Sequence, residues 1–274
     1  MTFHRSFTLV RPAIGQILGL ALSQQEHGDG DTGLTKKIIR ENTSLGTIYV
    51  EAMPRYAWAA GLLSQDLKLT DLGLFAARYD PTLMNTGTQW LLHFNLSSPF
   101  GSGPTFWGEV VLTRFRTGNQ FPKSEIDADI LEHYTRDNPG SVSPDSAQQT
   151  GTAFLGTYTK ADALGQLHIL QKSNETGVYR VLQPTVVPSW AFAYALMCYW
   201  NTKYEGRLSV NLNELTQPDG LASMFLMDDN SLDNTLNELQ RAGIVDVFRA
   251  DKPHQLLLLS HDREMVLRKL YGVQ

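Results

Sequence analysis

The sequence predicts a mainly α-helical protein with small β wings, in which two winged helix-turn-helix-like domains flank a helical middle segment. Three observations carry this. Apolar residues recur at helical spacing through most of the chain. The first 80 residues run helix, helix, turn, helix, Gly61-Leu62-Leu63, strand, then a helix at Thr70-Asp71-Leu72-Gly73, which is the order of a winged helix-turn-helix. A second such ending, helix, Ala242-Gly243, strand, turn, strand, stands near the other end of the chain. The expected organisation is a winged-helix-like domain over 1–80, helices over 81–137, a linker at 138–153, and a domain over 154–274 that joins a β-hairpin to the second winged-helix-like module.

The elements follow in order. Ile14, Ile17, Leu18 and Leu22 predict a helix from Pro12 to Gln24, with proline at its start. HGDGDTG, 27–33, is a turn by composition. Thr35 caps the next helix, with Ile38 and Ile39 inward, and Ser44-Leu45-Gly46 ends it. Ile48, Ala52, Tyr56, Ala59 and Ala60 share one face of a third helix, which Pro54 should kink or restart. A short strand follows, and Thr70 caps a helix. In the middle segment Leu83, Trp90, Leu91 and Phe94 make one apolar face, and Phe106, Val110, Val111 and Phe115 the next, opened by Pro104. Ser124 is the expected cap of a helix that turns Ile126, Ile130, Leu131 and Tyr134 inward. Pro, Gly and Ser dominate the linker. Beyond it, FLGTYTK reads as a short strand or a helical turn, and two short strands surround a turn at Ser173–Gly177. PSWAFAYALMCYWNTKY is a long aromatic helix, RLSVNLNELTQ a strand and a helix, and DREMVLRKLYG a closing helix. Leu232, Leu236 and Leu239 face inward from the second module.

Composition limits the function. The hydrophobic share of 42% and charged share of 19% are those of a globular chain with real cores. A formal net charge of −5 excludes a uniformly basic coat but allows a local basic patch. Cys198, the sole cysteine, lies in the apolar run AYALMCYW and reads as a core thiol. With no disulfide framework and no signal-peptide pattern, the expected location is cytoplasmic. Pro12, Gly15 and Gly19 interrupt the apolar stretch near the start, so it reads as a core helix and not a membrane span.

No catalytic motif stands out, and the expectation is a protein that is not an enzyme and has neither cofactor nor metal. FGSGPTFW lacks the Gly-Lys-Ser/Thr that a phosphate loop needs. His93, in WLLHFNL, reads as a core histidine, and no ligand stands at metal-binding spacing from it. Asp127, Asp129, Glu132 and His133 read as an exposed acidic helix face.

The two modules differ in charge. Around the first, Lys36, Lys37, Arg40 and Arg55 outnumber Glu41 and Glu51. Such side chains neutralise phosphates, and Thr47, Tyr49 and Arg55 are placed to meet base edges or backbone. The second carries Asp228, Asp229, Asp233 and Glu238 against Arg241, so it reads as a packing or protein-binding element. The expected function is a non-enzymatic DNA-binding or adaptor subunit whose partners are duplex DNA and other subunits, with homo-oligomer formation open. The alternatives are a protein-binding scaffold without DNA contact, or a metal-dependent nuclease built from scattered acids such as Asp127, Asp129 and Glu132.

FHRSFTLVRPAIGQIL, LTDLGLFAARYDP, TQWLLHFNL, FW and FLGTY, in that order, resemble the bacterial domain-of-unknown-function family numbered four thousand and seven. The resemblance runs over most of the chain, and TQWLLHFNL is its most specific block. The family carries Arg where this chain has Gly156, so no arginine role transfers. Members tend to be encoded beside DNA phosphorothioation or other phage-defence genes, and the resemblance therefore implies a role in DNA-linked defence. It supplies no catalytic residues.

Overall fold

The computed structural model describes residues 7–28, 33–136, 140–250 and 252–273. Residues 29–32 of the expected first turn, 137–139 of the expected linker and its flank, and Asp251 of the last turn lie outside them, as do the first six residues. The chain is mainly helical with two small antiparallel sheets, and it divides into two compact units, Met1–Leu182 and Gln183–Gln274.

The first unit contains α1 (Arg11–His27), α2 (Lys36–Asn42), α3 (Thr47–Ala59), α4 (Asp71–Tyr79), α5 (Thr86–Ser97), α6 (Thr105–Arg114), β1 (Gln120–Phe121), α7 (Lys123–Thr135), α8 (Pro144–Thr159), β2 (Leu170–Lys172) and β3 (Tyr179–Val181). Thr35 caps α2 by accepting from the Ile38 N–H at 3.2 Å, and Thr70 caps α4 through the Gly73 N–H at 3.0 Å. Pro54 does not restart α3, which runs from Thr47 to Ala59 across it. Burial of Val50, Met53, Tyr56 and Ala57, and a 2.9 Å bond from the Tyr56 hydroxyl to the Phe7 carbonyl, hold that helix in place. Ile48 is exposed instead of buried, because the core face of α3 begins at Val50. The strand expected before α4 is reduced to one bridge, Leu63 to Leu69.

Two further expectations change. α7 starts at Lys123 with Pro122 before it, so Ser124 lies inside the helix and caps nothing. Of the expected linker, everything from Pro144 onward is helix α8, with Ser143 accepting from the Ser146 N–H at 3.2 Å and proline in the first turn. Its small residues serve close packing against α7: a Cβ on Gly151 would lie 2.1 Å from Asp127 Oδ1. The hairpin β2–β3 also belongs to the first unit, because β1 joins β3 and makes the sheet order β1-β3-β2. Two residues of β1, set between helices, leave no alternating pattern to read.

The second unit contains α9 (Ser189–Lys203), β4 (Ser209–Asn211), the short helices α10 (Asn213–Thr216) and α11 (Leu221–Met224), α12 (Asp229–Arg241), β5 (Val245–Phe248), β6 (Gln255–Leu258) and α13 (Arg263–Tyr271). Its sheet has the order β4-β6-β5, antiparallel throughout. α9 is buried almost all round, including Tyr194, Tyr199 and Trp200, so it forms the core of this unit. Cys198 is half-buried on that helix, not fully enclosed. α12 is amphipathic, with Leu232, Leu236 and Leu239 inward and its acids outward. Among the described residues, no helix is long and apolar enough to cross a membrane.

Candidate nucleic-acid interface

α2 packs against α3, and the turn Thr43–Gly46 between them sets which side chains meet solvent. Lys36, Lys37 and Arg40 are exposed on α2, and Thr47 is exposed at the first residue of α3. Lys36 and Arg40, four residues apart, lie on one side of the helix. Lys36 is bridged to Glu51 of α3 at 3.6 Å, which spends part of its charge inside the fold. Tyr49 turns away and packs edge-on against Phe7, with centroids 5.4 Å apart. Arg55 is half-buried and already engaged within the protein. The structure thus exposes Lys36, Lys37, Arg40 and Thr47, while Tyr49 packs on Phe7 and Arg55 is half-buried. Lys37 and Arg40 have no ion-pair partner among the described residues.

The acids near His133 are organised quite differently from an open surface. Arg114 on α6 makes a bidentate pair with Asp129 on α7, at 2.6 and 2.8 Å, and also bonds Glu125. His133 Nδ1 lies 2.6 Å from Glu109 Oε2, and its Nε2 lies 3.0 Å from Thr105 Oγ1. Arg136 bonds the other oxygen of Glu109. The Arg136 hydrogen bond, assisted by that of His133, holds the Glu109 carboxyl below the usual carboxylate range. The hydrogen bond to Asp129 raises the Arg114 guanidinium further. Glu109, Asp129, Glu132 and His133 border a cleft of about 350 Å³ floored by Phe106, Val110 and Phe121. Asp127 is not among them: it faces α8 and pairs with Lys123 at 2.7 Å. Thr105 and Glu109 stand 28 and 24 residues before His133, a separation at which no sequence pattern joins them. No group of three His, Cys, Asp or Glu among the described residues is arranged to hold a metal ion.

The recognisable sequence blocks meet in the core of the first unit. Trp107 Nε1 donates to the Tyr158 hydroxyl at 2.9 Å, and that hydroxyl lies 2.9 Å from His93 Nδ1. His93 is fully buried, as its apolar setting predicts. Arg11 is 2% exposed and donates to the carbonyls of Leu83, Ala161 and Ala163. A Cβ at Gly156 would meet Thr8 Cγ2 at 2.3 Å, so Thr8 fills the space that an arginine stem would need.

These features define a mainly helical protein of two units, each with a small antiparallel sheet, whose sequence blocks build a polar core and whose surface cations lie elsewhere. The chain belongs to the family described as protein of unknown function (DUF4007), whose profile matches residues 45–271. No curated protein matches it. Two solved structures are similar in fold. A crystal structure of SspB superimposes with a TM-score of 0.73 at 17% identity, covering 98% of this chain and 87% of that one. A magnesium ion-bound SspB crystal structure does so with a TM-score of 0.72 at 16% identity and the same coverage. At such identity the likeness shows the fold alone.

Proposed function

We propose that the protein is a non-enzymatic DNA-binding or adaptor subunit of a bacterial phage-defence or DNA-modification system of the phosphorothioation type, acting in the cytoplasm with other subunits of that system. The observation that carries this reading is the exposed pair Lys37 and Arg40, three residues apart on α2 and without carboxylate partners among the described residues, with Thr47 exposed at the start of α3. Cations placed next to a helix N-terminus are suited to phosphate contact. The element order of the second unit, helix, strand, short helices, helix and a two-stranded β5–β6 hairpin, supports a winged helix-turn-helix reading there. The acids of α12 make that module a docking element for protein and not for DNA. The test is a titration of the full chain with duplex DNA over a range of salt. Binding that weakens steeply with salt, and that Lys37→Ala with Arg40→Ala reduces, supports the reading. No duplex binding at low salt replaces it with the scaffold.

One observation favours a second reading. Glu109, Asp129 and Glu132 share a single cleft, which is where scattered acids would have to converge in a hydrolase. One of the two structural neighbours was solved with magnesium, and that ion belongs to that protein. Here Asp129 and Glu109 are held by Arg114, Arg136 and His133, so the ion pairs would have to open before a cation could enter. Magnesium-dependent nicking of plasmid DNA that disappears in Glu109→Gln with Glu132→Gln would establish this second reading over the first.

A further inference from the structure

In the first unit several cations are spent on carboxylates. Lys36, Arg78, Arg114, Lys123 and Arg136 all sit in ion pairs. The outer face of the sheet β1-β3-β2 departs from that pattern. Strand alternation turns Phe121, Tyr179, Leu170 and Val181 inward, all buried. It turns Gln120, Arg180 and Gln171 outward, all exposed. The register places these three in one row, with Gln120 and Gln171 each opposite Arg180. Neighbouring strands lie about 4.8 Å apart, so the row sets one guanidinium between two amides. The turn after α6 adds Arg116: Gly118 N–H donates to the Val181 carbonyl at 3.0 Å, which ties that turn to the end of β3. Lys172 lies opposite Tyr179 and by alternation belongs to the other face, with its ammonium 5.8 Å from the centre of the Tyr179 ring. The side chains of Arg116 and Arg180 have no carboxylate partner among the described residues.

We infer that this sheet face, through Arg180 with the amides of Gln120 and Gln171 and through Arg116 of the adjoining turn, contacts the phosphodiester backbone of duplex DNA as a second surface beyond α2 and α3. The inference rests on the DNA-binding reading above and extends it to residues that no single stretch of sequence places together. Charge complementarity selects the partner. Two arginines without carboxylate partners among the described residues suit a polyanion, and arginine and glutamine are the side chains that reach phosphates and purine edges. Antiparallel strands are an established way to present such groups to a groove. A protein partner is favoured by an exposed aromatic anchor as well as by arginine. None of the large exposed apolar side chains, Ile48, Tyr79, Met84, Phe100, Val186, Leu208, Phe248 and Leu259, belongs to these strands or to the 116–119 turn.

The test uses the full chain, a duplex of about 20 base pairs and two double variants, Arg116→Gln with Arg180→Gln, and Lys37→Ala with Arg40→Ala. All four positions are exposed, and far-UV circular dichroism checks that each variant keeps its helices. The expected result for the sheet variant is a loss of about tenfold in affinity near 0.1 M salt. The slope of log affinity against log salt should flatten by about two, because two fewer phosphates are neutralised. Unchanged affinity and slope in that variant, with weaker binding only in the Lys37 and Arg40 variant, overturns the sheet face and leaves the functional reading standing. Weaker binding only in the sheet variant supports the sheet face and removes Lys37 and Arg40 from the DNA contact. No duplex binding by the unmodified chain removes both. A sheet variant that no longer binds polyglutamate while binding DNA normally would assign the face to an acidic protein and overturn the inference.

Discussion

The two units each bury a tyrosine-bearing helix, and they treat its hydroxyls in opposite ways. In the first, the Tyr158 hydroxyl on α8 is shared by Trp107 and His93 in a fully buried network. In the second, the Tyr204 hydroxyl at the end of α9 is buried with no hydrogen-bond partner among the described residues, although Tyr199 beside it bonds the Asp219 carbonyl at 2.9 Å. Desolvation pushes the Tyr204 phenol up to about 12 and raises that of Tyr158 also. The surfaces differ as well. Among the described residues, the first unit leaves Lys37, Arg40, Arg116 and Arg180 without carboxylates, while the second leaves Asp229 and Glu238 exposed and ties Arg249 to Asp233 at 3.0 Å. The first unit thus satisfies the Tyr158 hydroxyl and carries surface cations without carboxylates, and the second leaves the Tyr204 hydroxyl unsatisfied and exposes acids.

The comparison breaks most readily at Tyr158. Tyr158→Phe leaves the Trp107 N–H and His93 Nδ1 without their shared oxygen, at a cost of about 2–3 kcal/mol. Urea unfolding of the full chain, followed by tryptophan fluorescence, should shift to a lower midpoint by that amount; a neutral result would mean that the network is dispensable. Next in size is the charge contrast. Lys37→Glu with Arg40→Glu should weaken duplex binding by tenfold or more, about 1.4 kcal/mol, whereas Asp229→Lys should not weaken it at all. Equal losses from both would show that charge on the presumed recognition helices does not decide which unit meets DNA.

A smaller effect concerns acid. The folded Glu109 carboxyl is depressed, so its contribution to stability is present above the unfolded value near pH 4 and fades as pH falls through the folded value. Glu109 is more than a third exposed, which limits the contribution to less than about 1 kcal/mol. Glu109→Gln should therefore lower the urea midpoint slightly at pH 7, and the gap from the unmodified protein should close in strong acid. A gap that widens on acidification would reverse the sign and refute the ion-pair account. The smallest effect is expected at Tyr204. Removing an unpartnered hydroxyl sacrifices no bond, so Tyr204→Phe should leave stability within about 0.5 kcal/mol or raise it. A drop of about 2 kcal/mol would reveal a partner for that oxygen and erase the contrast with Tyr158.

Local signals are readable wherever one segment carries its own reason for its shape. The Thr35 and Thr70 caps, the break at Ser44–Gly46, the β2–β3 hairpin around Ser173–Gly177 and the α12–β5–β6 run all stand as their residues indicate. Local cues fail where a distant contact overrules them. Pro54 should interrupt α3, but burial of the residues around it keeps the helix intact. Gly, Ser and Pro over 138–153 resemble a linker, yet the small residues of α8 allow a close approach to Asp127 on α7. For the candidate interface, the charge of α2 is legible, while the diversion of Lys36 to Glu51 and of Tyr49 to Phe7 is not.

Taken by itself, the sequence determined the mainly helical class, the blocks that mark the family and the opposite charge of α2 and α12, because periodicity, caps and charge are properties of neighbouring residues. Tertiary structure decided the boundary at Leu182, the convergence of Trp107, His93 and Tyr158, the clamp of Glu109 by His133 and Arg136, and the row of Gln120, Arg180 and Gln171. Each of these joins segments that are separate in sequence. What brings them together is the burial of apolar faces and the pairing of strands, which act on the folded chain as a whole and leave no mark in any one window of it.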